Sequence, residues 1–259
     1  MGDSLLLTTT ADMRACLEGL GWHDGVLPAE DEERLAQQGY LVLHDVIPLQ
    51  KLAAMRSAYD EIARIDNRAD EFLTDLLNKH AVFQAMIEDP RVLHAVGSVL
   101  NWDFKLHSVH GRNPAKGSST QAFHYDWPVG LPHRQLSPGE SLICNSAWML
   151  DDMTEANGPT RVIPGSHLRG GSPAEAMADP TAPQPGEFHI EAPAGSVLIF
   201  NGSLWHSGMG NVSGASRRVV HTAFIRRDLP QPEGEVQSQI IRAATLGRLT
   251  PAYRHLLQI

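Results

Sequence analysis

The chain predicts an α+β fold, with helices first and then a run of short strands that close into a β-sandwich or barrel. Three observations carry the prediction. Before about residue 100 the apolar residues recur at helical spacing, as in Leu52, Met55, Tyr59, Ile62 and Ala63. From Asn101 onward the apolar runs are short and separated by turn residues such as Asn113-Pro114 and Asn157-Gly158-Pro159. A length of 259 residues, 42% hydrophobic and 20% charged, suits one domain with a substantial core. The expected layout is a single domain over 1–259, with a helical part at about 1–100, a β core at about 101–228 and a helical tail at about 235–259.

The elements follow in order. Residues 1–30 read as an arm with one short helix. Asp31 to Gln38 has acidic residues where a helix N-terminus favours them, and Gly39 stops it. Tyr40 to Leu43 reads as a strand and Pro48 to Ile65 as a helix. Two or three helices occupy 70–99, with Pro90 in the first turn of the last one. Strands are expected at Phe104 to Val109, Ser119 to Trp127, Leu142 to Leu150, Thr160 to Ile163, Phe188 to Glu191, Ser196 to Asn201 and Arg217 to Arg226. Residues 168–187, rich in Gly, Pro, Ala and Ser, read as a long loop, a candidate lid over a site.

A net charge of −9 disfavours a nucleic-acid partner, which needs a basic surface. There is no basic leader followed by an apolar stretch and no run of about 18 apolar residues, so neither a signal peptide nor a membrane span is expected. Two cysteines, Cys16 and Cys144, suggest no disulfide framework and a reduced, cytoplasmic setting. Cys144, in an apolar run, reads as packing.

The chemistry centres on Phe123-His124-Tyr125-Asp126-Trp127. In an extended segment, residues two apart share a face, so His124 and Asp126 project into one space. They make up two members of a 2-His-1-carboxylate triad, the ligand set that leaves positions open on non-haem Fe(II). A single His-x-Asp is weak evidence, because a histidine on a strand is more often packed or at the surface. His206, at a strand end beside a Gly-containing turn, is the candidate third ligand. Arg217, eleven residues later, opens the next strand. In a double-stranded β-helix a distant strand supplies the second His, and the following one offers an Arg whose planar fork suits a carboxylate. Arg218 is the rival, since neighbours on a strand face opposite ways.

The ordered set resembles the phytanoyl-CoA dioxygenase family of Fe(II)/2-oxoglutarate oxygenases over roughly residues 40–226. It comprises His124-Tyr125-Asp126, Trp148, Asn157-Gly158-Pro159-Thr160, Ile163 to His167, and His206 with Asn211, Ser213 and Arg217. The resemblance implies an α+β chain with a double-stranded β-helix (jelly-roll, cupin-like) core flanked by N-terminal helices. It implies Fe(II) held by His124, Asp126 and His206, with 2-oxoglutarate as cosubstrate and O2 as oxidant. Arg217 would pair with the distal carboxylate of 2-oxoglutarate, and Trp148 and Thr160 would also contact it. Some members carry Ser where this chain has Gly208, so a hydrogen bond is either missing or supplied by Ser207 or Thr160. His167 reads as structural, and the roles of His107, His110, Trp127, Arg134, Trp205 and His221 stay open.

The expected activity is hydroxylation, or another oxidation begun by hydrogen abstraction, of an unactivated C–H of a small-molecule metabolite, with release of succinate and CO2. Asp126 argues against halogenation, which needs a coordination position freed by Gly or Ala. Alternatives are an acyl-CoA hydroxylase of the same family, or a non-oxygenase cupin-type metal-binding protein. A closed structural zinc site is disfavoured because neither cysteine has a partner at ligand spacing.

Overall fold

The computed structural model describes residues 12–67, 72–128, 130–230 and 240–259. Helix α1 (Ala29–Gln38) opens on Glu30, Asp31 and Glu32 and ends at Gly39, whose φ of 83° is left-handed and favours glycine. A Cβ there would fall 2.5 Å from His167 Nδ1. The missing side chain lets His167 close over the helix end and donate Nε2–H to the Ala36 carbonyl (3.1 Å), the structural role expected of it. Strand β1 (Tyr40–Leu43) follows. Helix α2 (Leu49–Asp66) buries all five residues whose spacing predicts it.

Between residues 72 and 89 lie one helical turn (Leu76–Lys79) and a 3-10 helix (Ala81–Ile87); residues 70 and 71, where this helical region was expected to start, lie outside the described residues. Helix α3 (Pro90–Leu100) has Pro90 in its first turn, and the Asp89 carboxylate accepts the backbone N–H of Arg91 and Val92.

The remaining strands are β2 (Phe104–Arg112), β3 (Ile143–Met149), β4 (Thr160–Val162), β5 (Phe188–Ile190), β6 (Val197–Asn201), β7 (His206–Gly208) and β8 (Val219–Arg226). They pair antiparallel into a five-stranded sheet, β1-β6-β3-β8-β2, and a three-stranded sheet, β5-β4-β7. One face of the large sheet meets the helices: Cys144, Trp148, Val197, Ile199, Val220 and Phe224 share a core with α2 and α3. The other face, through Ala147, Met149, Leu198, Phe200 and Val219, packs against Val162 and Ile190 of the small sheet. Each fully buried side chain of this size contributes roughly 1.5–3 kcal/mol, so a one-residue slip in β3, which exchanges the two faces, is excluded by energy as well as by pairing.

Three expectations change. Ser119 to Trp127 is extended but not a regular strand. It meets β7 at one bridge, His124 with His206, and the ladder stops on either side: the next bond to β7 comes from Gln121 N–H to Gly208 O (2.9 Å), out of step by one residue, and Asp126 N–H goes to Gly202 O (2.8 Å). His206 opens its own strand rather than ending the previous one. The 168–187 loop, expected as a lid, is tied down at residues 180–182, on the face of the small sheet away from His206. Arg161 on β4 points to the outer face of the small sheet, is 2% exposed, and donates to the carbonyls of Pro180, Thr181, Ala182 and Gln121 while its guanidinium stacks 4.3 Å from the Phe123 ring. These bonds strap residues 180–182 onto that outer face. Arg161→Met is expected to cost about 3 kcal/mol, since it strands several buried carbonyls and Glu187. Urea unfolding measures this, and a loss near zero would show that the strap contributes nothing.

In the tail, α4 (Pro251–Leu257) and one helical turn (Ala243–Leu246) match the expected helix, whose first part, 235–239, lies outside the described residues. Cys16 and Cys144 are buried free thiols. Among the described residues no helix is long and apolar enough to cross a membrane.

Candidate metal centre

The His124–His206 bridge exchanges two backbone hydrogen bonds (2.9 and 2.8 Å), so the two imidazoles project from directly opposed positions, ring centroids 4.4 Å apart. Each ring is oriented by its own neighbourhood. His124 Nδ1 lies 2.9 Å from Ala122 O and His206 Nδ1 lies 2.8 Å from Leu204 O. With Nδ1–H donating to these carbonyls, Nε2 of both rings is left as a lone-pair donor. Asp126, two residues beyond His124, places Oδ2 3.4 Å from His206 Nε2 and Oδ1 3.9 Å from His124 Nε2. One ligand atom from each of the three lies within 4.8 Å of the others.

Asn145 completes the arrangement. It sits on the interior face of β3, and its amide donates to Asp126 Oδ2. Sequence reasoning missed it; the available signal was one amide, beside Ser146, in the mostly apolar β3 run. A group that orients a ligand carboxylate moves metal affinity by about 10–100-fold when removed. Asn145→Leu is therefore expected to weaken divalent-metal binding by that amount, measured by competition with a chromogenic chelator, and unchanged affinity would contradict the role.

Burial pushes the Asp126 carboxyl up, but the charge and hydrogen bond of His206, then His124 and His221, hold it below its ordinary value. Burial lowers His206, and Asp126 more than reverses this. His124 is lowered by burial and by His206. The carboxylate thus demands a cation: a proton on His206, or a metal ion that takes its place.

Arg217 is delivered by a turn built on Asn211, whose side chain donates to Pro114 O and Ala215 O and accepts from the Gly214 N–H. The Arg217 backbone then donates to Asn113 Oδ1 (2.9 Å). Its side chain is 7% exposed and its Nε has no hydrogen-bond partner. Burial, with Arg112 adding, pushes the guanidinium down to about 10, still charged at neutral pH. Arg218 is instead spent on Asp60 (2.7 Å) and Asp151 (2.9 Å). Of the two arginines, only Arg217 is left unpaired among the described residues.

Trp148 does not reach this space. The register pairs it with Val220 and Val197, on the helix side, and its indole N–H donates to Ser146 Oγ (2.9 Å). Its neighbour Ala147 faces the interior, opposite His221. Thr160, paired with Gly208 and two residues from Val162, shares the face of His206. Ser207 points outward, bonding Gln121 O and Arg161, so it does not stand in for a side chain at 208. The Gln121 amide oxygen fills that space, 3.0 Å from where a Gly208 Cβ would lie. His110 and His221 stack face to face (5.2 Å, 10°) on the interior side of β2 and β8. A cleft of about 370 Å³ lined by Tyr125, His133, Glu175 and Trp205 lies on the reverse side, where Tyr125 and Trp205 turn away from Asp126 and His206.

Two stacked antiparallel sheets that join two imidazoles and one carboxylate, with a buried arginine just before β8, have the makings of a mononuclear metal protein. The chain belongs to the phytanoyl-CoA dioxygenase (PhyH) family, whose model matches residues 35–219. It is 30% identical over 209 residues to the uncharacterized protein Rv1501 of Mycobacterium tuberculosis (73% of this chain, 71% of that one). It is 27% identical over 225 residues to the dioxygenase trt7 of Aspergillus terreus (78% and 75%). Among solved structures it is similar to HygX from Streptomyces hygroscopicus with nickel and 2-oxoglutarate bound (TM-score 0.64, 18% identity, 79% of this chain and 89% of that one). It is also similar to SnoK, a non-heme alpha ketoglutarate dependent carbocyclase of nogalamycin biosynthesis (TM-score 0.62, 20% identity, 87% and 92%).

Proposed function

We propose that this protein is an oxygenase that uses Fe(II), 2-oxoglutarate and O2 to oxidise an unactivated C–H bond of a small metabolite, hydroxylation being the expected outcome. The observation that carries the reading is the meeting of His124, Asp126 and His206 with Arg217 buried and unpaired. The donor set fits ferrous iron: two imidazole nitrogens and one carboxylate, no thiolate, and three of the six donors an octahedral ion takes. Bound iron and cosubstrate would together activate O2, the oxidant, with 2-oxoglutarate oxidised to succinate and CO2.

The chain supplies placement. Ala122 and Leu204 carbonyls hold the two rings, Asn145 holds the carboxylate, and Arg217 receives the distal carboxylate of 2-oxoglutarate. Thr160, on the face of His206, is proposed to contact the cosubstrate. Trp148 is left out of that role. The helix-backed stack of two sheets supports a double-stranded β-helix core within one domain, and the buried thiols Cys16 and Cys144 support an intracellular setting. The activity implies a substrate that fits beside His124, with specialised metabolism as the setting.

The test is conversion of 2-oxoglutarate to succinate by the purified protein with Fe(II) in air, alone and with a set of small metabolites. Iron-dependent succinate above the protein-free rate is expected. Its absence under every condition, with the protein folded and iron-loaded, would contradict the reading.

A further inference from the structure

Among the described residues, the wall beside the proposed centre carries a second cation without an ion-pair partner. The β2–β8 register sets His110 opposite His221 and Arg112 opposite Val219. Residues His110, Arg112, Val219 and His221 therefore share one sheet face, and Arg217, just before β8 begins, is near enough for the Arg112 charge to act on it. Phe72 caps the group: its ring is 4.7 Å from that of His110 and 4.4 Å from the Arg112 guanidinium carbon. Among the described residues no carboxylate lies within ion-pair distance of Arg112.

Two like charges this near repel each other, and an anion between or beside them relieves this. The two arginines differ in place. Arg217 is buried; Arg112 is exposed at the end of β2. The Asp126 carboxylate favours the charge on Arg112, and Arg112 acts on His124, whereas the groups that act on Arg217 are Tyr59 and Arg112. Arg112 thus stands at the open side, nearer the His124–Asp126 pair. A guanidinium over an aromatic ring still has N–H groups to offer a planar, two-pronged acceptor.

We propose that Arg112, held by Phe72 and His110, binds a carboxylate of the substrate, which makes the substrate a small carboxylic acid. This rests on the function proposed above, with Arg217 reserved for the cosubstrate. The same chemistry could come from 2-oxoglutarate itself, so the experiment separates the two sources.

The protein is loaded with Zn(II), which binds without turnover, and its affinity for 2-oxoglutarate is measured by calorimetry. Saturated with both, it is then screened by thermal shift against hexanoate, phenylacetate, 4-hydroxybenzoate and N-acetylleucine, each beside its primary amide. Acids should raise the melting temperature where their amides do not. Arg112→Gln should abolish that difference and leave 2-oxoglutarate affinity within about threefold, whereas Arg217→Gln should weaken 2-oxoglutarate by about tenfold or more. Arg112→Lys, which keeps the charge and loses the fork, should restore part of the acid effect. A drop of about tenfold in 2-oxoglutarate affinity for Arg112→Gln would assign Arg112 to the cosubstrate and overturn the proposal. So would acids that act no better than their amides on the wild type. Failure of the function reading is read separately, as wild-type protein that binds no 2-oxoglutarate in the presence of metal.

Discussion

Asp126→Ala is expected to lower Fe(II) affinity by more than about a hundredfold and to abolish succinate formation, because even outer partners of a metal ligand move affinity 10–100-fold. The substitution removes the one anionic ligand and leaves two imidazoles with no charge to balance a dication. It also strands the Asn145 amide that now bonds Asp126 Oδ2. The metal-free protein carries a second signature. Asp126 sits below its ordinary 3.8, so it contributes stability above that pH, lost as pH falls through its depressed value. His206 sits above its ordinary 6.5, so its contribution is present below that pH and lost as pH rises through its raised value. Urea midpoints of the metal-free wild type should therefore peak between those limits. Asp126→Ala should flatten both sides. Full metal binding by this variant, or an unchanged pH profile, would contradict the assignment.

Arg217→Gln should raise the 2-oxoglutarate concentration needed for half-maximal turnover by about 10–100-fold, since a hydrogen-bonded charge pair is worth roughly 1.5–3 kcal/mol. Fe(II) affinity should stay close to that of the wild type. Without ligand the variant should be no less stable than the wild type, and more stable if anything, because a buried, unpaired guanidinium beside Arg112 costs free energy until an anion arrives. Arg218→Gln should do the opposite. It leaves Asp60 and Asp151 without their shared partner, lowering stability with the 2-oxoglutarate requirement unchanged. If Arg218→Gln, and not Arg217→Gln, raised the requirement, the anchor would be the wrong arginine.

The residues of the proposed centre could be picked out because each sits where local geometry is simple. His124 and Asp126 lie two apart in an extended segment, and Arg217 stands at the mouth of a strand after a tight turn. Helix α2 declared itself by five apolar residues on one face, and β1 by an apolar run directly after a glycine stop. What the sequence hid depended on partners far along the chain. Trp148 looks like a cavity residue in a strand that is buried on both faces, where hydrophobicity carries no alternation. Its face is decided by pairing with β6 and β8, and one residue of offset puts Ala147 inside instead. Asn145 became meaningful only once β3 was laid beside Asp126. The composition of the 168–187 loop suggested freedom, but Arg161, on a short strand, ties its far half down. The short β7 was invisible because its three residues, His206 to Gly208, have no apolar pattern of their own.

Anaerobic titration of the protein with Fe(II) in the presence of 2-oxoglutarate, followed by visible absorbance and metal analysis, tests the central claim most directly. The expected result is one iron per chain and a charge-transfer band from the chelated 2-oxo acid, with both lost in His124→Ala, Asp126→Ala and His206→Ala and the band alone weakened in Arg217→Gln. Iron bound at one per chain with the same band after Asp126 and His206 have both been replaced would contradict it.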